Sequence, residues 1–253
     1  MPPVRRVVNQ RDDLLQQVEQ LRRQNTRLKE TTRSLRIGLR EDLGFLFIVT
    51  YGRSGSTLLQ GILSSIPGYL IRGENGGVAY QLYKFHATAT ARSATKGARW
   101  KSPQSPWFGI GGYPQSRALR ELRRLLLTTV IRPERDSRVV GFKEVRWLQE
   151  DLHEYVDFLR AVFPGARFVV NTRNLDDVAV SQWWARDTDS RRILAEAEKR
   201  MLALADRLGD DAYHIHYDDY AQSPGRLRGL FAWLGEEFDE AHVSEVMARR
   251  HSY

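Results

Sequence analysis

Cysteine is absent from the 253 residues, which excludes disulfides, iron–sulfur clusters, thiolate zinc sites and cysteine nucleophiles. The chain therefore needs no oxidising compartment. Long apolar runs are missing too. The opening MPPVRRVVNQRDD lacks the apolar stretch of a signal peptide, and no later segment approaches the roughly 18 apolar residues of a membrane span. A cytoplasmic protein is expected. What is present is a globular composition, 42% hydrophobic and 28% charged, which rules out a wholly disordered chain and a multi-span membrane protein. The length suits one large domain, or one domain with an appendage.

Acidic residues are the scarcer sign, 31 against 39 basic ones, for a net charge of +8. The excess is local. Residues 1–40 hold 10 basic and 4 acidic residues, whereas residues 41–253 hold 29 and 27. The charge belongs to an N-terminal arm, and nucleic acid is not an expected partner of the rest.

That arm carries a seam in alternating steps of four and three: Leu14, Val18, Leu21, Asn25, Leu28, Thr32, Leu35 and Leu39. Leu14, Leu21, Leu28 and Leu35 fall on d of a heptad; Val18, Asn25, Thr32 and Leu39 fall on a. A polar Asn at a favours a parallel two-stranded coil. The pattern predicts a coiled-coil helix within residues 1–43, forming a homodimer through residues 14–39 or docking a helical partner. The competing reading is an amphipathic helix folded back on its own domain. Arg5, Arg6 and Arg11 are too sparse for a basic zipper.

From residue 44 the pattern changes. FLFIVTY is a short apolar run suited to a buried strand, and Gly52-Arg53-Ser54-Gly55-Ser56-Thr57 precedes LLQGILSSI at helical spacing. Strand, glycine-rich loop and helix make a phosphate cradle, with backbone N–H groups, hydroxyls and a helix N-terminus facing one anion. Ser56 stands where a Walker A loop has lysine, so an ordinary ATPase or kinase is disfavoured. The cation here is Arg53, whose planar fork can grip an anion in two places. Gly55 directly after Ser54 also excludes the G-x-S-x-G nucleophile elbow.

Further strands are expected from Arg138 (RVVGFKEVR), Ala166 (ARFVVNTR) and Asp211 (DAYHIHY), and helices at roughly 116–130, 148–162, 174–185, 190–208 and 224–234. Residues 44–253 should thus form a three-layer α/β domain with a mainly parallel sheet and its ligand at the C-terminal strand ends. Residues 86–114 are expected to be a long loop. Arg173 ends its strand, and Ser181 follows eight residues later, on the next expected helix. The two can converge on a second phosphate.

YGRSGSTLL followed far downstream by RNLDDVAVS resembles the sulfotransferases that use 3'-phosphoadenosine-5'-phosphosulfate (PAPS), and HYDDYAQSPGRLRGLFAWLG extends the likeness over residues 44–238. The arginine in the first loop is more like the carbohydrate, tyrosine and bacterial enzymes than the cytosolic type, which has lysine there. The resemblance implies that Arg53, Ser54, Gly55, Ser56 and Thr57 hold the 5'-phosphosulfate and that Arg173 and Ser181 hold the 3'-phosphate. It implies PAPS as co-substrate, no metal, and a hydroxyl acceptor such as a sugar, lipid, phenol or peptide tyrosine. The cytosolic type's late glycine-rich grip on the 3'-phosphate has no counterpart in Arg249, Arg250, His251, Ser252 and Tyr253.

Sulfuryl transfer needs a base for the acceptor proton and positive charge facing the leaving phosphate. Glu74, after a short second strand, resembles the family's glutamate base; His86 is the rival. Lys143 resembles the lysine beside the transferring group, the alternative being a plain ion pair with Glu144. Lys101 is a further candidate for the sulfate or an anionic acceptor. His214, His216 and Asp218 would share a strand face with metal-ligating chemistry, and Asp187-Thr188-Asp189 has the D-x-D shape of metal-dependent glycosyltransferases; both patterns are weak. Trp183 and Trp184 can stack on a ligand or pack on the sheet. The rival functions are an atypical magnesium-dependent kinase and an inactive nucleotide-binding scaffold.

Overall fold

A computed structural model describes residues 3–38, 40–94 and 102–249, with only the backbone path given for 3–13, 33–36 and 38. Leu39, Lys101, Arg250, His251, Ser252 and Tyr253, and the side chain of Leu35, lie outside the described residues. The chain divides into two units, Met1–Glu41 and Asp42–Tyr253. The first is a helix, α1 (Pro3–Gly38), along which Leu14, Val18, Leu21 and Leu28 are exposed. No described helix is long and apolar enough to cross a membrane.

The second unit is a five-stranded, all-parallel sheet in the order β2-β3-β1-β4-β5. Its strands are β1 (Gly44–Val49), β2 (Tyr69–Arg72), β3 (Val139–Glu144), β4 (Arg167–Thr172) and β5 (Ala212–His216). Each is short and β-branched or aromatic, and side chains alternate between two faces. Leu46 and Ile48 of β1, with Val169 and Ile215, pack under α2 (Ser56–Ser64), α9 (Arg228–Leu234) and α10 (Glu240–Met247). On the opposite face Phe47 meets Phe142, Phe163 and Phe168 at ring separations of 4.8, 5.6 and 5.6 Å. Each such buried side chain contributes about 1.5–3 kcal/mol. Helices α5 (Leu152–Val162) and α7 (Ser190–Leu208) belong to the second layer, where Trp147 stacks on Tyr155.

Two expectations are corrected. Residues 86–94 are helical, because α3 runs from Val78 to Ala94. Its alanines are good helix formers, and Tyr83 and His86 anchor it against Phe158 of α5. The single helix expected over 174–185 is broken. Asn174 caps α6 (Leu175–Ala179) by accepting from the amides of Asp176 and Asp177. Gln182 then takes a left-handed conformation (φ 48°) before a 3-10 turn at Trp184–Arg186. Ser181 therefore sits in a turn. The helix expected over 116–130 is α4 (Gln115–Leu125) continued by a π-helical turn to Ile131, and the one expected over 224–234 opens as a 3-10 turn before α9.

Candidate active site

The loop between β1 and α2 is pinned from below. Thr50 donates to the carbonyl of Asn171 at 2.7 Å and lies 2.6 Å from Ser54 Oγ. With the threonine proton committed to the carbonyl, Ser54 is the donor in that pair. Asn171 in turn donates to the Ser54 carbonyl at 3.0 Å and accepts from Tyr220 at 2.9 Å. Ser54 is wholly buried, so its hydroxyl braces the loop instead of facing outward as the sequence suggested.

Above this brace Gly55 (φ 74°) and Arg53 (φ 71°) both adopt left-handed backbone. For arginine that conformation costs about 1–2 kcal/mol, and it sends the guanidinium to Ser181 Oγ at 3.0 Å. A Cβ on Gly55 would stand 2.0 Å from the Tyr217 ring, and one on Gly52 would stand 2.5 Å from Trp183. The loop is thus walled by two aromatic rings that only glycine lets approach. Ser56 and Thr57 open α2, where the first amides are free of intrahelical partners.

A cavity of about 370 Å³ lies along the C-terminal ends of the strands, with Gly52, Arg53, Gly55, Ser56 and Thr57 in its wall. At the β2–β3 end stand Glu74 and Lys143, joined by a 2.6 Å ion pair. Lys143 is nearly buried at 5% side-chain exposure, whereas Glu74 is half exposed at 48%. The alternative, a Lys143–Glu144 pair, is not formed. Glu144 instead accepts from the amides of Asn75, Gly77 and Val145 at 3.2, 3.0 and 2.9 Å, and so fixes the turn that follows Glu74.

At the β4–β5 end Arg173 donates to the Arg53 carbonyl at 3.1 Å and lies 4.9 Å from the centre of the Tyr217 ring. Arg53, Arg173 and Ser181 are thereby brought together. His86 is elsewhere: it bonds Tyr113 at 2.9 Å and packs on Phe158, and burial lowers its pKa. The two tryptophans divide their roles. Trp184 is buried and donates to the Gly52 carbonyl at 3.2 Å, while Trp183 lines the cavity half exposed.

Sequence reasoning left Tyr217, Met247 and Arg249 without a role, and all three line the cavity. Tyr217 has a readable signal, since it directly follows the last strand on the ligand edge. Met247 and Arg249 have none, because they arrive through the docking of α10. Leu58, Tyr217 and Met247, which pack against the core cluster under α2, give the cavity an apolar wall, with Trp183 and Val145 as its other apolar lining. Among the described residues no group of three acidic, histidine or cysteine side chains is arranged to hold a metal ion.

A sequence model described as the sulfotransferase family matches residues 46–240. No curated protein matches the chain. Among solved structures, the chain resembles the sulfotransferase domain of the Synechococcus PCC 7002 olefin synthase, at 17% identity and a TM-score of 0.51, over 84% of this chain and 80% of that one. It also resembles sulfotransferase STF9 from Mycobacterium avium, at 14% identity and a TM-score of 0.50, over 88% and 72%. These likenesses show a common α/β fold, and the match over residues 46–240 shows more: the chain is a transferase that belongs to the sulfotransferase family.

Proposed function

We propose that this sulfotransferase takes its sulfuryl group from PAPS and passes it to an acceptor hydroxyl at the Glu74–Lys143 end of the cavity. The observation that carries the reading is the polarity of the cavity along the sheet edge. Two arginines and a serine gather at the β4–β5 end, the glycine-rich loop lies in the middle, and a carboxylate–ammonium pair stands at the β2–β3 end. Those donors fit a nucleotide with two separate anionic groups, and the Leu58–Tyr217–Met247 wall fits the face of its base.

PAPS supplies a sulfuryl group on a phosphate leaving group. The amides of Gly55, Ser56 and Thr57 and the start of α2 hold the 5' end. Arg173 and Ser181 hold the 3'-phosphate. Arg53, bonded to Ser181, bridges the two regions. Glu74 accepts the acceptor's hydroxyl proton as that oxygen bonds to sulfur. Lys143 orients Glu74 with one of its three N–H donors and has two left for the oxygen charged by departure of the sulfuryl group. For α1 we propose a second copy of this chain as partner, with Leu14, Val18, Leu21 and Leu28 forming the seam.

Calorimetric titration with 3'-phosphoadenosine-5'-phosphate (PAP), adenosine 5'-phosphate and Mg-ATP tests the nucleotide site, with Arg173→Ala alongside. Binding that requires both the 3'-phosphate and Arg173 supports the reading. Equal binding of all three nucleotides overturns it. Selective PAP binding without turnover over a broad acceptor panel favours the inactive scaffold.

A further inference from the structure

The segment HIHYDD, which reads in sequence as a weak metal site, forms a hydrogen-bonded chain that ends at Arg173. His214 and His216 both reach the Thr172 hydroxyl, His214 through Nε2 at 2.8 Å and His216 through Nδ1 at 2.9 Å. The far edge of His216 faces Asp218, with Nε2 3.2 Å from Oδ2. An ionised carboxylate only accepts, so Nε2 of a neutral His216 ring carries the proton and Nδ1 is the acceptor. Thr172 then donates to His216 and accepts from His214, and the whole chain is satisfied in one direction. Burial, reinforced by His216, lowers the pKa of His214 and keeps that ring neutral.

Asp218 Oδ2 thus accepts twice, from His216 and from the Asn174 amide at 2.9 Å. Its other oxygen stands 3.7 Å from Arg173 Nε, beyond hydrogen-bond distance. That buried nitrogen has no hydrogen-bond partner among the described residues. The carboxylate is close enough to attract the guanidinium and is held back from closing on it. Without the hold from His216, Asp218 would turn onto Arg173 and compete with an incoming anion.

We propose that His216 is a positioning residue for the 3'-phosphate: by anchoring Asp218 it keeps Arg173 aimed yet unclamped. This rests on the reading of Arg173 as a phosphate ligand. Beyond His214, Asp218 and Arg173 themselves, Tyr217 packs on the Arg173 guanidinium, Tyr51 bonds the Arg173 backbone, and Glu198, Asp206 and Asp219 act on His214; none of them offers Asp218 the side-chain donor that His216 does.

Two substitutions separate this role from plain packing. Gln at 216 can set an amide donor where Nε2 stands, whereas Asn reaches only as far as Nδ1 and keeps the Thr172 contact. The His216 side chain is 35% exposed, so both changes suit the fold. In the full-length protein His216→Asn should weaken PAP binding about five- to tenfold, the net size of one ordinary hydrogen bond, because the bond acts on the anion only through Asp218 and Arg173, and leave adenosine 5'-phosphate binding unchanged. His216→Gln should restore PAP binding. In turnover the Asn variant should raise KM for PAPS and hold kcat. Unchanged PAP affinity in the Asn variant, equal losses for both nucleotides, or a Gln variant as weak as Asn would each overturn the proposal. A wild type that does not prefer PAP overturns the functional reading as well, so the wild-type titration tells the two failures apart.

Discussion

Tyr51 and Arg173 are joined at the backbone: the tyrosine oxygen lies 2.9 Å from both the amide nitrogen and the carbonyl oxygen of Arg173. The same hydroxyl reaches Glu198 on α7. Burial, reinforced by the Glu198 carboxylate, pushes the phenol far above its usual pKa and keeps it protonated. Tyr51→Phe leaves the part-buried Arg173 amide without its acceptor, at a cost of about 1–3 kcal/mol. At about 2–4 °C per kcal/mol for a domain of this size, the melting temperature should fall by several degrees, and PAP should bind less tightly. A melt that superimposes on wild type would remove the hydroxyl from this role.

Glu74 and Lys143 should separate kinetically from the nucleotide grip. Glu74→Gln keeps the shape and the lysine contact and removes the base, so kcat should drop by roughly 10²- to 10⁴-fold while PAP affinity stays within a few-fold. Lys143→Met, which preserves volume at this nearly buried position, should also lower kcat. Wild-type rates in Glu74→Gln would dismiss Glu74 as the base.

Gly55→Ala meets two obstacles, the left-handed φ of 74° and the Tyr217 ring 2.0 Å from the new Cβ. The strain alone is about 1–2 kcal/mol, and we expect lost PAP binding together with a lower melting temperature. Adding Tyr217→Ala relieves the clash and leaves the strain, so the double variant should regain stability only in part. Full recovery, seen by circular dichroism, would show that the backbone conformation is not needed.

Removing residues 1–41 should leave one cooperative thermal transition, because the sheet and both of its covering layers lie within Asp42–Tyr253. Light scattering should report a monomer of the shortened chain where the full-length protein gives a dimer. A dimer that persists after the deletion would move self-association to the second unit.

The four strands named from sequence, the glycine-rich loop and the Arg173–Ser181 spacing were legible because each is written locally, as an apolar run, a turn chemistry or a fixed interval. The helix over residues 86–94 was not. Its alanines and threonines lack an apolar period, and its anchoring to α5 through Tyr83 and His86 is tertiary. The break after Ala179 hides for a similar reason: Gln182 takes a positive φ in a segment that reads as continuous helix. The seat of Ser54, whose partner Thr50 and whose own carbonyl are both held by Asn171, and the pairing of Lys143 with Glu74 depend on neighbours more than 60 residues away, at separations of 121, 117 and 69. No local pattern encodes either.

The central place of β1 bears on how the site comes into being during synthesis. The strand is the first of the sheet to be synthesised, yet its two neighbours are β3 and β4, and the ring over Gly55 is Tyr217. Loop closures this long are slow steps in folding. A nascent chain that stops before residue 217 carries the phosphate-loop sequence, Glu74, Lys143 and Arg173 but lacks the Tyr217, Met247 and Arg249 side of the pocket. On the proposed reading of the site, nucleotide capture should therefore report completion of the pocket wall around Tyr217.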